Sequence, residues 1–249
     1  MASHVLEVRG LQKRFAGIVA TNDLSLDVRA GETHALIGPN GAGKTTLIAQ
    51  LQGELEPDGG AIHFNGADIT REPAHRRAHL GIARSFQITS VFPQFTVLAN
   101  VALAVQARSG HGFRFFRRAW EDARLVKPAE VAIEQIGLSA RRDIYAEDLS
   151  HGERRQLELA MALAMKPSLL LLDEPMAGMG RQDGQRMTRI LEGLKQRYAI
   201  LLVEHDMDAV FALADRISVL VAGRVIASGA PADIRANAEV RAAYLGHGS

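Results

Sequence analysis

Gly38-Pro39-Asn40-Gly41-Ala42-Gly43-Lys44-Thr45 carries the strongest indication of the fold in this sequence. It fits the pattern G-x-x-x-x-G-K-[ST]. The apolar run Thr33–Ile37 before it predicts a buried strand, and Lys44–Gln52 predicts a helix that ends at Gly53. A strand, a glycine loop and a helix in this order predict a phosphate-binding loop, and the context argues against a chance glycine-rich turn.

The chemistry of phosphate binding requires these residue types. Glycines let successive backbone N–H groups converge on phosphate oxygens where a Cβ atom would collide, and the helix directs its positive dipole end at the same anion. The Lys44 amine can bridge the β- and γ-phosphates, and the Thr45 hydroxyl can complete a Mg²⁺ shell. The predicted nucleotide-binding residues here are Gly38, Pro39, Asn40, Gly41, Ala42, Gly43, Lys44, Thr45 and Thr46. Kinases, GTPases and motor ATPases share this motif, so alone it predicts only a nucleotide.

Two carboxylates follow a run of four leucines at 169–172. A continuous apolar strand is buried on both faces and belongs in the centre of a parallel sheet, whose carboxyl end is where ligands bind. Asp173 is therefore the predicted Mg²⁺ residue, held directly or through water. Glu174 is the predicted general base that polarises the attacking water. The alternative is a strand that merely ends in a polar turn.

The rest of the chain predicts an α/β architecture. Alternating residues at the start indicate β-structure, and turn signals at Asp58-Gly59-Gly60 and Asn65-Gly66 enclose a short hairpin strand. Between 92 and 149 apolar residues recur at helical spacing, with interruptions expected near Lys127-Pro128 and Gly137, which indicates a helical insertion. Helices then alternate with strands at 169–172, 199–203 and 217–221, which predicts a parallel sheet covered by helices.

Composition excludes several classes of protein. Lys and Arg total 29 against 28 Asp and Glu, a formal net charge of +1, which gives no support to nucleic-acid binding. The absence of cysteine excludes disulfides and thiolate metal sites. No secretion signal is expected, because Met1-Ala2-Ser3-His4 lacks a basic start and an apolar run, and every apolar stretch is shorter than the roughly 20 residues that span a bilayer. We expect a soluble cytosolic protein, or one held at a membrane by its partners.

A capped helix is predicted at Leu149-Ser150-His151-Gly152-Glu153. Ser150 as N-cap with Glu153 three residues later forms a capping box ahead of the helical run that follows. The same helix N-terminus would present free N–H groups to an anion, so the structural and functional interpretations coexist.

Five motifs in this order resemble the nucleotide-binding subunit of an ABC transporter: the phosphate loop, Gln87, 149–153, 169–175 and His205. The resemblance covers essentially the whole chain. It implies an α/β fold, a P-loop NTPase (RecA-like) core with a small antiparallel β-subdomain and an inserted α-helical subdomain. The whole of 1–249 would be one ATP-binding domain, with 1–87 and 150–249 forming the β-subdomain and core and 88–149 the helical subdomain.

The resemblance also implies ATP with Mg²⁺ and a head-to-tail dimer with a second ATP-binding subunit, identical or paralogous. Ser150 and Gly152 would contact the γ-phosphate of the ATP held by the other subunit. Two departures from the family's L-S-G-G-Q element are His151 and Glu153. Glu153 keeps the capping role, whereas His151 is either a solvated side chain or a pH-sensitive neighbour of phosphate.

Further roles follow from the same resemblance. Gln87, expected after a strand at 82–86, would sense the Mg²⁺ and the attacking water and link hydrolysis to movement of the helical subdomain. His205 would bond the γ-phosphate and orient Glu174, while the other eight histidines are expected to be surface residues. Phe15 would stack on adenine, with a core phenylalanine as the alternative. The segment Met176-Ala177-Gly178-Met179 replaces a more polar loop of most relatives, so communication between the two ATP sites would differ in detail.

Several sequence segments resemble those of the branched-chain amino-acid importer group within that family. They are the segments 173–179 and 203–207, the tail Ala243-Tyr244-Leu245-Gly246, and the extended segment 108–127, whose arginines and aromatics fit either a membrane surface or a solvated helix. The implied partners are transmembrane permease subunits, docking near 88–96, and indirectly a substrate-binding protein, with no nucleic acid. The implied location is the cytoplasmic face of the bacterial inner membrane.

The sequence leaves two other classes of protein open. One is a soluble ABC-type ATPase acting on a ribosome, DNA or an assembly scaffold, and the other is a nucleotide-gated binding module with negligible turnover. For an importer, the cargo could be branched-chain amino acids, urea, amides or aromatic acids.

Overall fold

The computed structural model describes residues 4–85, 91–108 and 122–245. Two compact units divide the chain: Met1–Ile82, Ser168–Glu174 and Leu194–Ser249 form the first, and Ala83–Pro167 and Pro175–Gly193 form the second. The described strands are β1 (His4–Phe15), β2 (Ile18–Arg29), β3 (Thr33–Ile37), β4 (Gly59–Phe64), β5 (Ala67–Asp68), β6 (Ile82–Ser85), β7 (Leu169–Asp173), β8 (Ala199–Val203), β9 (Arg216–Val221) and β10 (Arg224–Gly229).

Helices alternate with these strands. Those described are α1 (Lys44–Gln52), α2 (Ala74–Leu80), α3 (Val97–Arg108), α4 (Ala123–Gln135), α5 (His151–Ala164), α6 (Arg181–Leu194), α7 (Met207–Leu213), α8 (Pro231–Ala236) and α9 (Ala238–Leu245). The mixed α/β architecture with a phosphate loop, a small antiparallel sheet and a helical insertion confirms the predicted fold class.

The antiparallel sheet has the strand order β2-β1-β4-β5. Its alternating pattern buries Leu6 and Val8, which pair across the sheet with Val28 of β2 and Ile62 of β4. The β4–β5 hairpin turns at Asn65 (φ 49°) and Gly66 (φ 81°), the two left-handed positions that a two-residue hairpin loop requires. The sequence predicted this turn, and it is confirmed.

The larger sheet has the order β10-β9-β3-β8-β7-β6. Strands β9, β3, β8 and β7 run parallel, and every residue of β3 and β8 is buried. Parallel strands bring their carboxyl ends to the same edge, so the residues that follow β3, β7 and β8 lie together. These are the phosphate loop, Glu174 and the segment after Val203.

Helix α1 has the predicted bounds because glycine in the left-handed conformation flanks both ends. Gly43 (φ 106°) precedes it and Gly53 (φ 77°) follows it, and the Gly53 N–H returns to carbonyls of the last turn. The buried guanidinium of Arg77 donates to the carbonyls of Gln50 and Leu51, which satisfies further groups at this helix end. One side chain thereby ties α2 to α1.

The C-terminal helices of the first unit complete an apolar cluster. Ile234 of α8 and Val240 of α9 pack with Val210 of α7 and with buried residues of β3 and β9. The Arg235 guanidinium lies 4.1 Å from the centroid of the Phe211 ring, a cation–π contact between α8 and α7. Through Ile234 and Val240, α8 and α9 are part of the folded core and pack with α7, the helix that follows His205.

In the second unit, α3, α4 and α5 pack against one another, and each buries apolar residues, among them Val101, Ile133 and Leu157. The predicted interruption near Lys127-Pro128 is wrong, because α4 begins at Ala123, capped by the Asp122 side chain, and continues through Pro128. Because α4 begins only a few residues before Pro128, little of the helix precedes the proline, and few hydrogen bonds are lost to it. The predicted end near Gly137 is confirmed, since its left-handed backbone (φ 72°) follows the C-cap.

Candidate active site

The phosphate loop is shaped by close backbone contacts that only glycine permits. A Cβ atom on Gly38 would lie 2.2 Å from the Leu220 carbonyl oxygen, and one on Gly43 would lie 2.2 Å from that of Ala20. Gly41 is also left-handed (φ 78°), but a Cβ there would meet nothing within 4 Å. The two outer glycines are thus required by packing, and the middle one only by its backbone angle.

The N-terminus of α1 opens directly from this loop. Its N-cap, Gly43, offers no side-chain hydrogen bond and the first turn contains no acidic residue, so no carboxylate competes there for an anion. Thr45 is exposed and Thr46 half-buried in the first turn. Free backbone N–H groups and a positive dipole end are what a phosphate group needs.

Lys44 spans the loop that it follows. Its Nζ donates to the carbonyl oxygens of Gly38 at 2.7 Å and Pro39 at 3.0 Å. Burial lowers the pKa of this amine, and the nearby charges of Glu174 and Asp173 oppose that shift. The lysine and both predicted acidic residues therefore share one electrostatic environment.

Glu174 and His205 meet where β7 and β8 end. Asp173 pairs with Val203 in the parallel register, and the Glu174 N–H donates to the Val203 carbonyl at 2.8 Å. Glu174 adopts a left-handed backbone (φ 50°), a strained conformation for a residue other than glycine. Its Oε1 lies 3.7 Å from His205 Nδ1, and both side chains are substantially exposed. A carboxylate and an imidazole thus face solvent beside the lysine.

Phe15 lies at the tip of the β1–β2 hairpin and is 46% exposed, so it is not a core residue. The hairpin is fixed to the phosphate loop by main-chain contacts through Gly223. Gly223 N–H donates to the Ala42 carbonyl at 2.8 Å, and Asn22 N–H donates to the Gly223 carbonyl at 2.9 Å. An accessible aromatic ring is thereby held on the same rigid unit as the loop.

The second unit carries the Ser150 motif at the start of α5. Ser150 Oγ accepts from the Glu153 N–H at 3.2 Å and Glu153 Oε2 accepts from the Ser150 N–H at 3.0 Å, which confirms the capping box. Arg141 donates to the other Glu153 oxygen at 2.8 Å. A Cβ on Gly152 would lie 2.8 Å from Asp183 Cγ, so a larger residue at 152 would require the Asp183 side chain of α6 to move.

His151 is exposed, and its ring lies beside Gly178 of the same unit. The His151 Cε1 atom is 3.5 Å from the position a Cβ would take on Gly178, which has a left-handed backbone (φ 73°). A large residue at 151 and the smallest residue at 178 therefore occupy neighbouring space.

Several predicted features fall wholly or partly outside the described residues. Gln87 lies outside them, as do 88–90 of the predicted docking strip and 109–121 of the arginine- and aromatic-rich segment. The remaining part of the strip, 91–96, is described. Phe92 in this part of the strip is 51% exposed. The buried Asn100 side chain accepts a hydrogen bond from the Phe92 N–H and donates one to the Phe92 carbonyl.

A family model described as ABC transporter matches residues 21–177, more than half of the chain.

The chain belongs to the ABC transporter ATP-binding family.

Whole-chain relatives agree. The high-affinity branched-chain amino acid transport ATP-binding protein LivG of Salmonella typhimurium is 36% identical, and the corresponding protein BraF of Pseudomonas aeruginosa is 34% identical, each over 99% of both chains. The solved structure of the ADP conformation of MJ1267, an ATP-binding cassette of an ABC transporter, has a TM-score of 0.87 at 28% identity and covers 98% of this chain and 100% of its own. A second family model, described as branched-chain amino acid ATP-binding cassette transporter, matches residues 224–249.

The predicted resemblance is therefore confirmed, and this ABC ATPase is an ATP-hydrolysing transporter subunit that binds nucleotide. The matches favour the transporter interpretation over an ATPase of ribosomes, DNA or scaffolds. Across 4–85, 91–108 and 122–245, no helix combines the length and the apolar character needed to cross a membrane.

Some buried polar residues of this ABC ATPase were not predicted from the sequence. Glu204, directly before His205, is a buried carboxylate. Its position immediately after a fully apolar strand could have indicated this burial. The expectation that the other histidines lie at the surface is wrong for His34, which is 1% exposed. Its ring bonds the Asp27 carbonyl and the Ser218 hydroxyl, partners from β2 and β9 that no local pattern indicates.

Proposed function

We propose that this ABC ATPase powers the import of branched-chain amino acids or related small polar compounds. The observation that carries the cargo class is the match of residues 224–249 to the branched-chain cassette model, together with whole-chain similarity to LivG and BraF. Urea, amides and aromatic acids are the competing cargoes, because cargo selectivity resides in the permease and the external binding protein.

In the proposed hydrolysis, the phosphate loop and Lys44 hold the phosphates of ATP. Glu174 accepts a proton from the attacking water, and His205, which lies beside it, orients this carboxylate and donates to the γ-phosphate. Phe15 stacks on adenine from the hairpin anchored to the loop. The strain at Glu174 fits this role, because unusual backbone conformations concentrate where a side chain must be aimed.

The residues also fit Mg²⁺. A hydroxyl on Thr45 and a carboxylate on Asp173 are hard oxygen donors, and Gln87 would add an amide oxygen. When bound, Mg²⁺ neutralises charge on the β- and γ-phosphates and so favours transfer of the terminal group. Close packing of Gly38 and Gly43 against backbone carbonyls keeps the loop that would carry the phosphates in its curled shape.

The proposed assembly is a head-to-tail dimer with a second ATP-binding subunit, identical or paralogous. Ser150 and Gly152 would reach the γ-phosphate of the ATP bound by the partner. The capping box supports this role, because the side chains of Ser150 and Glu153 fix the N-terminus of α5, the helix end that would face the anion. ATP bound between two subunits would hold them together until hydrolysis.

The proposed permease contact is the surface around 91–96. Exposed Phe92 packs near Phe95, with 5.4 Å between ring centroids, and exposed Ile144 and Tyr145 belong to the segment that bonds this strip. Buried Asn100 holds the strip in place through four hydrogen bonds. An apolar surface on a rigid backbone suits a short helix of a membrane partner.

The protein would then lie on the cytoplasmic face of the bacterial inner membrane. The permease would link it indirectly to a substrate-binding protein, and nucleic acid would not be a partner.

Purification from native membranes tests this proposal. A tagged Glu174→Gln chain, isolated with ATP present, is expected to bring multi-span permease subunits with it, and their identification would narrow the cargo. Lys44→Ala is the matched control, since weak ATP binding should reduce recovery of the closed assembly. Recovery of the tagged chain only with ribosomal, DNA-bound or scaffold proteins would contradict the importer function.

A further inference from the structure

Glu204 is a buried carboxylate between β8 and His205. The residue is 2% exposed and its side chain 1%, at the strand end that faces the candidate active site. Burial of a carboxylate is unfavourable unless hydrogen bonds compensate for the lost water. The role of such a residue is therefore to be found in the groups that it bonds.

Those groups include the main chain of the switch segment. One Glu204 oxygen, Oε2, accepts from the His205 N–H at 2.8 Å and from the Asp206 N–H at 3.1 Å. The His205 ring is close to the same atom, with Nδ1 at 3.6 Å. A single buried oxygen thus fixes two successive peptide groups immediately at the histidine.

The next residue anchors the segment from the other side. The Asp206 carboxylate accepts from the N–H groups of Asp208 and Ala209 and so caps α7. His205 lies between these two anchors. Its own side chain is 67% exposed, so packing contributes little to its orientation and the backbone must set it.

We propose that Glu204 is a positioning residue for ATP hydrolysis, acting through His205. By holding the main chain of His205, it keeps the imidazole within 3.7 Å of the Glu174 carboxylate. This inference rests on the proposed role of His205 and adds a residue for which sequence alone predicted no role. Glu204 itself would touch neither ATP nor the attacking water.

The test compares three substitutions at this position. Glu204→Gln keeps an acceptor oxygen at the same reach, Glu204→Leu keeps the volume but removes the acceptor, and Glu204→Asp withdraws the acceptor by one methylene. For Glu204→Leu we expect kcat to fall by about ten- to a hundredfold with KM for MgATP nearly unchanged, because small misplacements of catalytic groups have effects of this size. Glu204→Gln should retain most of the activity, and should Glu204→Leu not fold, Glu204→Asp takes its place in the comparison.

The same substitution in a His205→Ala chain distinguishes an effect through His205 from a general structural effect. In a His205→Ala chain, Glu204→Leu should lower the residual single-turnover rate no further, because residues that act as a unit are non-additive. Three results would overturn the inference. Glu204→Leu could lower the rate by the same factor with and without His205→Ala, it could leave kcat unchanged, or Glu204→Gln could lower kcat as much as Glu204→Leu. If His205→Ala alone left turnover intact, the proposed role of His205 would fail instead, so the two failures are distinguishable.

Discussion

The carboxylate of Glu174 and the imidazole of His205 approach to 3.7 Å at the carboxyl edge of the parallel sheet. Adjacent strands bring them there, since Asp173 pairs with Val203 and each functional side chain lies just beyond that pair. The approach therefore depends on strand register. A shift of one residue in either strand would turn the side chain that follows it to the opposite face.

Glu174→Gln should lower the steady-state ATPase rate by about 10²–10⁴-fold, because an amide cannot accept the proton of the attacking water. Nucleotide binding should persist, since the phosphate loop is unaltered. A fluorescent ATP analogue measures binding, and phosphate release measures turnover. Glu134→Gln, an exposed glutamate of α4, is the matched control and should leave both unchanged. An active Glu174→Gln enzyme would refute the assignment of the base.

Gly43→Ala should abolish nucleotide binding, whereas Gly41→Ala should weaken it much less. The alanine methyl at 43 would meet the Ala20 carbonyl at 2.2 Å, while at 41 it would meet nothing within 4 Å. Both positions have left-handed backbones, so the pair isolates the steric contact from conformational strain. Binding titrations on the two purified variants make the comparison. Equal losses would show that packing against β2 is unimportant.

Ser150→Ala should reduce the free energy of unfolding by about 1 kcal/mol, the usual cost of losing an N-cap side chain. Ser150→Asn should restore most of that stability, since asparagine caps as well as serine. ATP-dependent dimerisation should remain impaired in both if the hydroxyl contacts the partner's ATP. Chemical denaturation and size-exclusion chromatography separate the two effects. Full dimerisation of Ser150→Ala would argue against the contact in trans.

Glu158→Gln should stabilise the protein at neutral pH. Burial raises the pKa of Glu158, opposed by the charge of Arg155 and its hydrogen bond, so the ionised form is disfavoured in the folded state. A raised folded-state pKa means that stability is lost as pH rises through that pKa, and the uncharged amide avoids this loss. Thermal unfolding should therefore show a higher Tm for the variant at pH 7 and a vanishing difference below pH 4.5. A constant difference across this range would contradict the assignment.

His34 should make the protein sensitive to mild acid. Burial lowers its pKa below the ordinary 6.5, and the charge of Arg216 adds to this effect. A depressed pKa means that its contribution to stability is complete above pH 6.5 and is lost as pH falls through the folded-state value. His34→Gln should flatten the decline in Tm below pH 6.5, whereas the exposed His75→Gln should not.

Local patterns predicted the elements with strong sequence signals. The bounds of α1 and β8 agree with expectation because glycines delimit the helix and an unbroken apolar run delimits the strand. The capping box at Ser150 was likewise readable from two residues three apart. The candidate site followed from the rule that parallel strands gather their carboxyl ends at one edge.

What sequence could not supply depends on contacts between distant parts of the chain. His34 is buried by partners on β2 and β9, and Asp183 of α6 closes over Gly152 although α6 begins well after α5. The continuation of α4 through Pro128 depends on where the helix starts, which the proline itself does not indicate. Each of these required three-dimensional packing.

The main-chain contacts that join the β1–β2 hairpin to the phosphate loop have an evolutionary consequence. Ala20 contributes its carbonyl, and Asn22 and Gly223 contribute peptide groups, so the span between Phe15, the proposed adenine platform, and the phosphate loop does not depend on the side chains of β2. Mutational drift along β2 can alter its surface without changing that span. A lineage that adopted another nucleobase would have to change the residue at the hairpin tip, because the spacing below it is set by main-chain contacts.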